Sequence, residues 1–216
     1  MTRTNPVPAR PDPAILDALR GIATSHLSDN LDRLSGVTGL RSYGAGKLVG
    51  TAFTVKCRPG DNLMIYQALS LIGSGHVLVI DAGGEVGHAV VGELLMLYAK
   101  SRGCAGFVVE GAVRDVAAFV RGAFPCYGRG NTHKGPYKSG PGHLNVPVSI
   151  GGQVVLPGDY VVGDEDGIVT FSADQTPALI DLARRQAAKE ETIKAKIAAG
   201  DAETWITGVL RDAGIV

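Results

Sequence analysis

The sequence lacks the paired cysteines that a disulfide framework or a structural zinc site requires. Its three cysteines, Cys57, Cys104 and Cys126, are odd in number and far apart, which favours reduced thiols in a cytoplasmic protein. The five histidines offer no zinc site, because none shows the H-x-x-x-H or H-E-x-x-H spacing of a ligand pair. We therefore expect neither zinc nor disulfides.

An excess of one charge and a long apolar run are also absent. Lys plus Arg and Asp plus Glu number 21 each, so no basic stripe predicts a nucleic-acid partner. The longest apolar runs fall well short of the roughly 20 residues that a membrane span needs. The first residues also lack the apolar core of a signal peptide. These absences predict a soluble cytoplasmic protein without nucleic-acid or membrane partners.

The apolar content that is present suffices for one hydrophobic core. The chain has 216 residues, of which 45% are apolar and 19% charged, values that are ordinary for a globular protein. This length is near the upper end of what one core serves. We therefore expect residues 1–216 to form a single domain. Residues 176–216 read as two helices, a C-terminal helical arm that can pack on a neighbouring subunit.

The middle of the chain alternates strands with helices. Residues 76–80, HVLVI, are almost wholly apolar and predict a strand buried on both faces. A helix over 90–102, a strand over 107–109 and a helix over 116–121 follow. This order predicts an α/β fold with parallel strands and crossover helices.

The flanking segments have other patterns. We expect a helix over 12–34 that breaks near Thr24 and Ser25, a strand over 48–55 and a helix over 63–72. Residues 128–142 are rich in Gly, Pro, Lys and His, and predict a long loop. Residues 146–171 predict short strands separated by turns, with a hairpin turn rather than a calcium loop at DEDG.

A glycine-rich segment, Asp81–Gly87, follows the first buried strand. Dinucleotide-binding loops occur in this context. The glycines at 83, 84 and 87 do not match G-x-G-x-x-G, however, and the expected acidic residue about 20 positions later is missing. A tight turn is favoured, and a nucleotide-binding enzyme remains an alternative.

Gly92, Glu93, Leu94 and Leu95 lie in the first turn of a predicted helix. Unpaired backbone N–H groups and the helix dipole make this turn a site for an anion such as a carboxylate. Gly92 would let a ligand approach the backbone closely. Glu93 also has a structural interpretation, because acidic residues in a first turn stabilise helices.

Arg114 and Asp115 follow a buried strand, at the end where open parallel sheets bind their ligands. Aspartate is a hard oxygen ligand suited to Mg²⁺ or Mn²⁺. Arginine offers a fixed fork of donors to a carboxylate or enolate. The alternative is structural: Asp115 caps the next helix, and Arg114 makes a surface ion pair.

Two segments together resemble a known superfamily. They are DAGGEVGHAVVGELLMLYAKSRGCAGFVVEGAVRD, residues 81–115, and NVPVSIGGQVVLPGDYVVGDEDGI, residues 145–168. Both are similar to the regulator of ribonuclease activity A-like superfamily, in the branch of the 4-hydroxy-4-methyl-2-oxoglutarate / 4-carboxy-4-hydroxy-2-oxoadipate aldolases. The resemblance extends over residues 14–200, most of the chain.

The resemblance implies an α-β-β-α sandwich with a partly parallel central sheet, assembled as homotrimers or homohexamers with active sites between subunits. It implies that Asp115 binds a divalent metal, Mg²⁺ or Mn²⁺, largely through water, and that Arg114 contacts the oxygen of a small 2-oxo acid. The turn Gly92–Leu95 would hold the pyruvate carboxylate, and Glu93 would help to hold metal-bound water.

The resemblance also implies a glutamate from the C-terminal helix of a neighbouring subunit. Glu190 falls in the middle of an apolar stripe when the helix over 176–199 is advanced by about 100° per residue. A carboxylate there needs a partner. That partner is either a Lys or Arg of the same chain, or metal-bound water in the adjacent subunit.

Lys138 lies in the predicted long loop. It could reach the distal carboxylate of a substrate and so determine substrate choice. The alternative is a solvated loop lysine with no role in the site.

The activity that the resemblance implies is a class II, metal-dependent lyase reaction. It cleaves 4-hydroxy-2-oxo acids to pyruvate plus an oxo acid, as in aromatic compound degradation, with oxaloacetate decarboxylation as a side activity. The ribonuclease-regulator branch lacks the metal-binding aspartate, so Asp115 favours catalysis. The alternative is a non-catalytic regulator that binds a ribonuclease or another protein partner.

Overall fold

The computed structural model describes residues 2–216. Its helices are α1 (Pro13–Arg20), α2 (Thr24–Asp29), α3 (Leu63–Leu71), α4 (Glu93–Ser101), α5 (Val116–Arg121), α6 (Thr176–Ala198) and α7 (Ala202–Asp212). Its strands are β1 (Arg3–Thr4), β2 (Arg41–Ser42), β3 (Leu48–Cys57), β4 (His76–Asp81), β5 (Ala89–Val91), β6 (Gly106–Val113), β7 (Cys126–Asn131), β8 (Gly142–Leu144), β9 (Val148–Ile150), β10 (Gln153–Val155), β11 (Tyr160–Asp164) and β12 (Gly167–Phe171).

A mixed sheet dominates the fold. Its main path runs β1-β8-β3-β4-β6-β7-β2, with β5 beside β6 and the β11–β12 hairpin beside β3. The central strands β3, β4, β6 and β7 are parallel to one another, so their carboxyl ends meet at one edge. The outer strands β8, β11 and β2 pair with them antiparallel. The predicted α/β class with a partly parallel central sheet is confirmed.

Helices and a small hairpin cover the two faces of the sheet. Helices α3, α4 and α5 bury Ile65, Met96 and Phe119 against one face. The separate β9–β10 hairpin buries Val148 and Ile150 against the other. A third cluster joins α1, α2 and α6 to the β11–β12 hairpin. In the part of the chain that the structure describes, no helix is long and apolar enough to cross a bilayer.

Several predicted boundaries were wrong for identifiable reasons. The helix expected over 90–102 begins only at Glu93, because residues 89–91 form β5 and pair with β6. The helix expected over 12–34 breaks at residues 21–23 and ends at Asp29. The strand expected over 107–109 extends to Val113, because β4, β5 and β7 supply neighbours along its whole length.

The loop expected over 128–142 is shorter, because residues 126–131 form β7. Gly128 and Gly130 hide this strand from a pattern-based prediction. Added Cβ atoms there would lie 3.2 Å from Val113 and Val86 respectively. Glycine inside a strand often marks such a close approach. The loop proper covers residues 132–141.

The C-terminal helices confirm the predicted element types but not the extent of the predicted apolar stripe. Leu179, Ile180 and Ala183 of α6 are buried against the neighbouring elements, whereas Leu182 and Ile197 are exposed. Only the first half of α6 therefore belongs to the core. Packing of this arm on another subunit remains a prediction.

Candidate active site

Arg114 and Asp115 lie at the carboxyl end of β6, where parallel sheets place their ligand sites. The Arg114 N–H donates to the Val91 carbonyl at 3.0 Å, which extends the β5–β6 pairing to this residue. Asp115 adopts a left-handed backbone conformation, with φ 57° and ψ 38°. Aspartate is among the few non-glycine residues enriched there, and such conformations cluster at functional sites.

The side chain of Asp115 caps α4 and not α5, the helix that the structural alternative assigned to it. It occupies the cap position of α5 but makes no cap hydrogen bond to it. Its Oδ2 instead accepts a hydrogen bond from the Glu93 N–H, at the start of α4, at 3.0 Å. Arg114 Nε lies 3.7 Å from the same oxygen, and the two side chains are 42% and 43% exposed. An open charge pair therefore sits on the first turn of α4.

Gly92 makes this contact possible. A Cβ atom at this position would lie 2.5 Å from Asp115 Oδ2 and 3.0 Å from Arg114 Cγ. From the sequence, we expected Gly92 to let a ligand approach the backbone. In the structure, the side chains of Arg114 and Asp115 lie against Gly92 instead.

The first turn of α4 has free donors for an anion. The opening N–H groups of a helix have no partner within it, and Asp115 occupies only that of Glu93. Leu94 and Leu95, the next residues of the turn, line the cleft beside Arg114. The Glu93 side chain is half-exposed, and its Oε1 lies 3.8 Å from Arg121 Nη2.

The cleft is also lined by Lys138 of the following loop, and its role in substrate choice remains a prediction. The cleft is lined by the start of α4, strand β5, Arg114, Asp115, Pro136 and Lys138, and its volume is about 50 Å³. Lys138 is exposed, and its Nζ lies 5.8 Å from the centre of the Tyr66 ring. Two cationic side chains and one carboxylate therefore share a small cleft.

The cleft also includes Asn62, just before α3, and Tyr66, on α3. The sequence analysis missed both residues. Asn62 is 3% exposed; its Nδ2 donates to the Val90 carbonyl at 3.0 Å, and its Oδ1 has no partner among the described residues. The only sequence signal was Asp61–Asn62 before a helix, which resembles ordinary helix capping.

Glu190, on α6, lies outside the cleft. Its Oε2 is 2.8 Å from His26 Nε2 on α2, and its Oε1 accepts from Gln186 at 2.9 Å. The hydrogen bond to His26, followed by that from Gln186, lowers the pKa of Glu190 below its ordinary value. The intrachain partner is therefore a histidine rather than Lys or Arg. Within one chain the structure does not bring Glu190 into the cleft, and its role in a neighbouring subunit remains a prediction.

The side chains at the cleft limit which kind of metal ion it could hold. Among residues 2–216, no group of three or more His, Cys, Asp or Glu could hold a metal ion. Mg²⁺ keeps several of its waters and commonly needs only one or two carboxylates, which Asp115 and Glu93 can offer. This donor chemistry is that of a largely hydrated Mg²⁺ or Mn²⁺ rather than of zinc, and metal binding here remains a prediction.

Comparisons with known proteins place the chain in a family. A family model described as RraA-like, Aldolase/RraA, matches residues 24–170. A relative from Halalkalibacterium halodurans carries the provisional name 4-hydroxy-4-methyl-2-oxoglutarate aldolase. It is 38% identical over 174 residues, which cover 80% of this chain and 83% of the relative.

Two solved structures share the fold. An uncharacterized protein from Pseudomonas syringae pv. tomato matches with a TM-score of 0.78 and 28% identity, covering 89% of this chain and 92% of that protein. The RNA-processing inhibitor RraA from Thermus thermophilis matches with a TM-score of 0.64 and 32% identity, covering 69% and 92%. The family match includes every residue of the cleft. The chain therefore belongs to the RraA-like (Aldolase/RraA) family.

Proposed function

We propose that this protein is a divalent-metal-dependent aldolase that cleaves 4-hydroxy-2-oxo acids, of the 4-hydroxy-4-methyl-2-oxoglutarate type, to pyruvate and a second oxo acid. The observation that carries this proposal is the contact of the Arg114–Asp115 pair with the first turn of α4 in one cleft. The name of the relative from H. halodurans supports the same reaction class.

Each part of the cleft has a task in this reaction. The N–H groups of Leu94 and Leu95 bind the C1 carboxylate, which the dipole of α4 also favours. The Arg114 guanidinium donates hydrogen bonds to the C2 oxygen, where negative charge develops. Lys138 pairs with the distal carboxylate of a dicarboxylate substrate.

Asp115 would hold Mg²⁺ or Mn²⁺, with Glu93 reaching its water shell. When bound, such an ion supplies Lewis-acid stabilisation of the C2 oxygen and acidifies bound water. No lysine Schiff base is required.

The bond changes follow from these positions. A carboxylate, Glu93 or the Glu190 of a neighbouring copy, takes the proton of the C4 hydroxyl through a water molecule. The C3–C4 bond breaks, C4 leaves as a carbonyl, and the electron pair moves to the C2 oxygen beside Arg114. Protonation at C3 then gives pyruvate. The same electron sink accepts the pair released when oxaloacetate loses carbon dioxide, so we expect that side activity.

A second candidate function is the binding of a ribonuclease or another protein partner. The resemblance to the RNA-processing inhibitor from T. thermophilis favours it. Asp115 argues for catalysis instead, because a surface regulator has no need of a carboxylate in a strained backbone conformation inside a cleft.

The test is pyruvate release from a panel of 4-hydroxy-2-oxo acids. We expect turnover that stops when the metal is chelated and returns with Mg²⁺ or Mn²⁺. Release that persists after complete metal removal, or no release from any member of the panel, would contradict the proposed function.

A further inference from the structure

A buried carboxylate outside the proposed reaction anchors the loop that carries Lys138. Asp61 lies just before α3 and is 2% exposed. Its Oδ2 accepts hydrogen bonds from the Ser139 N–H at 2.6 Å and the Gly140 N–H at 3.0 Å. Its Oδ1 accepts from the Leu63 N–H at 2.9 Å. One side chain therefore joins the start of α3 to the loop directly after Lys138.

A second attachment lies on the other side of Lys138. The Tyr137 N–H donates to the Gly60 carbonyl at 2.9 Å, and the Tyr137 carbonyl accepts from the Asn62 N–H at 3.0 Å. Lys138 thus sits between two fixed residues, Tyr137 and Ser139. Its side chain lines the cleft, in a loop that has no regular secondary structure of its own.

The ionised carboxylate suits this position. Burial raises the pKa of Asp61, but the backbone N–H groups of Leu63, Ser139 and Gly140, with nearby Arg58, bring it below its ordinary value. All three hydrogen-bond partners are donors. Asparagine would therefore turn an N–H₂ group toward at least one of these donors and leave it unpaired.

We propose that Asp61 is a positioning residue that holds Lys138 over the cleft and so determines the preference for substrates with a distal carboxylate. This inference rests on the proposed function, in which Lys138 binds that carboxylate. Asp61 itself does not line the cleft, so it would act only through the loop.

The test compares two substrates that differ in the distal group. 4-Hydroxy-4-methyl-2-oxoglutarate has a distal carboxylate, and 4-hydroxy-2-oxopentanoate has none. Asp61→Asn and Lys138→Ala should each lower the ratio of the two kcat/KM values about tenfold, the scale of one charge-assisted hydrogen bond, chiefly through KM. Because Asp61 acts through Lys138, the double variant should lower the ratio no further than Lys138→Ala alone.

Asp164→Asn is the matched control. Asp164 also accepts several hydrogen bonds, including those from the Thr24 N–H at 2.9 Å and Lys47 Nζ at 2.8 Å, but it lies away from the loop. It should lower the melting temperature and leave the substrate ratio unchanged. Additive effects in the double variant, an equal loss on both substrates in Asp61→Asn, or an unchanged ratio in Lys138→Ala would each overturn the proposal.

Amide hydrogen exchange measures how firmly Asp61 holds the loop, and it does so without an activity assay. The amides of Ser139 and Gly140 should exchange faster in Asp61→Asn and at the wild-type rate in Asp164→Asn. Unchanged exchange would overturn the positioning role on its own. A wild-type protein that releases no pyruvate from either substrate would refute the proposed function, and the inferred selectivity with it, whatever the exchange shows.

Discussion

At the scale of single residues, the candidate site depends on Gly92. Alanine there would place a Cβ atom 2.5 Å from Asp115 Oδ2 and 3.0 Å from Arg114 Cγ. We expect Gly92→Ala to displace both side chains, to abolish most pyruvate release and to cost about 1–3 kcal/mol of stability, as overpacking does. Chemical denaturation and turnover measure the two effects.

The control for that variant is Gly208→Ala. Gly208 lies in α7, and its added Cβ would meet no atom within 4 Å. This variant should retain activity and stability, because alanine favours a helix over glycine. Normal activity in Gly92→Ala would show that the Arg114–Asp115 geometry is not required.

Arg114→Lys tests the planar donor fork. A lysine ammonium is a point charge and cannot reproduce two fixed N–H donors. We expect kcat/KM to fall by roughly a hundredfold or more, by analogy with the loss of one oxyanion donor. Arg121→Lys, at an exposed position near Glu93, should change it little. Equal rates for the two variants would place Arg114 among the surface residues.

Sequence reasoning could find Arg114, Asp115 and Gly92–Leu95, because each motif is contiguous and follows or precedes a recognisable element. It could not find the roles of Asp61 and Asn62. Their partners lie far away in sequence, at Ser139 and Val90, and no local pattern encodes such contacts. It also could not find that Gly92 leaves space for the Asp115 side chain. That conclusion requires the distance between two segments that are apart in sequence, and only the folded structure supplies it.

At the scale of elements, α6 poses the sharpest question, because Glu190 contacts His26 and not the cleft. We expect Glu190 to act in a neighbouring subunit. Arg114→Ala and Glu190→Ala, inactive alone, should regain activity when unfolded together and refolded as mixed oligomers, since some sites then combine both intact residues. Mixed oligomers that form but stay inactive would confine Glu190 to its own chain.

Asp164 accepts a hydrogen bond from the N–H of Thr24, the first residue of α2. We expect this contact to make the stability of the protein depend on pH. Burial raises the pKa of Asp164, but hydrogen bonds from Lys47 and Thr24 bring it below its ordinary value of 3.8. A depressed pKa contributes stability above the unfolded value, which is lost as the pH falls through the folded value. The stability difference between wild type and Asp164→Asn should therefore be full at pH 6 and shrink below pH 3.8. A difference independent of pH would contradict this role.

The same scale shows which elements a pattern can reveal. Strand β4 was predictable, because it is apolar throughout and buried on both faces. Strand β7 was not, because Gly128 and Gly130 replace the side chains that such a pattern needs. The residues of strand β5 were predicted as part of a helix, because three apolar residues are compatible with either structure. Only their pairing with β6 identifies them as a strand.

At the scale of the whole molecule, the cleft lies beside apolar side chains that remain exposed in a single chain. Leu94 is 79% exposed at the cleft, and Tyr66 and Tyr98 of the flanking helices are about half-exposed. A second copy of the chain is one partner that would cover such a group; the homotrimer or homohexamer with sites between subunits remains a prediction. The overall charge balance, 21 residues of each sign, places no strong repulsion between copies.

The most direct test of the central claim is the Mg²⁺-dependent pyruvate release of Asp115→Asn at saturating metal. The substitution keeps the size of the side chain and the acceptor for the Glu93 N–H, but removes the charge that a hard cation requires. We predict that the variant folds, with wild-type secondary structure and oligomeric state, and loses most of its turnover. Near-normal Mg²⁺-dependent turnover in the folded variant would contradict the assignment of Asp115 as the metal-holding residue of an aldolase.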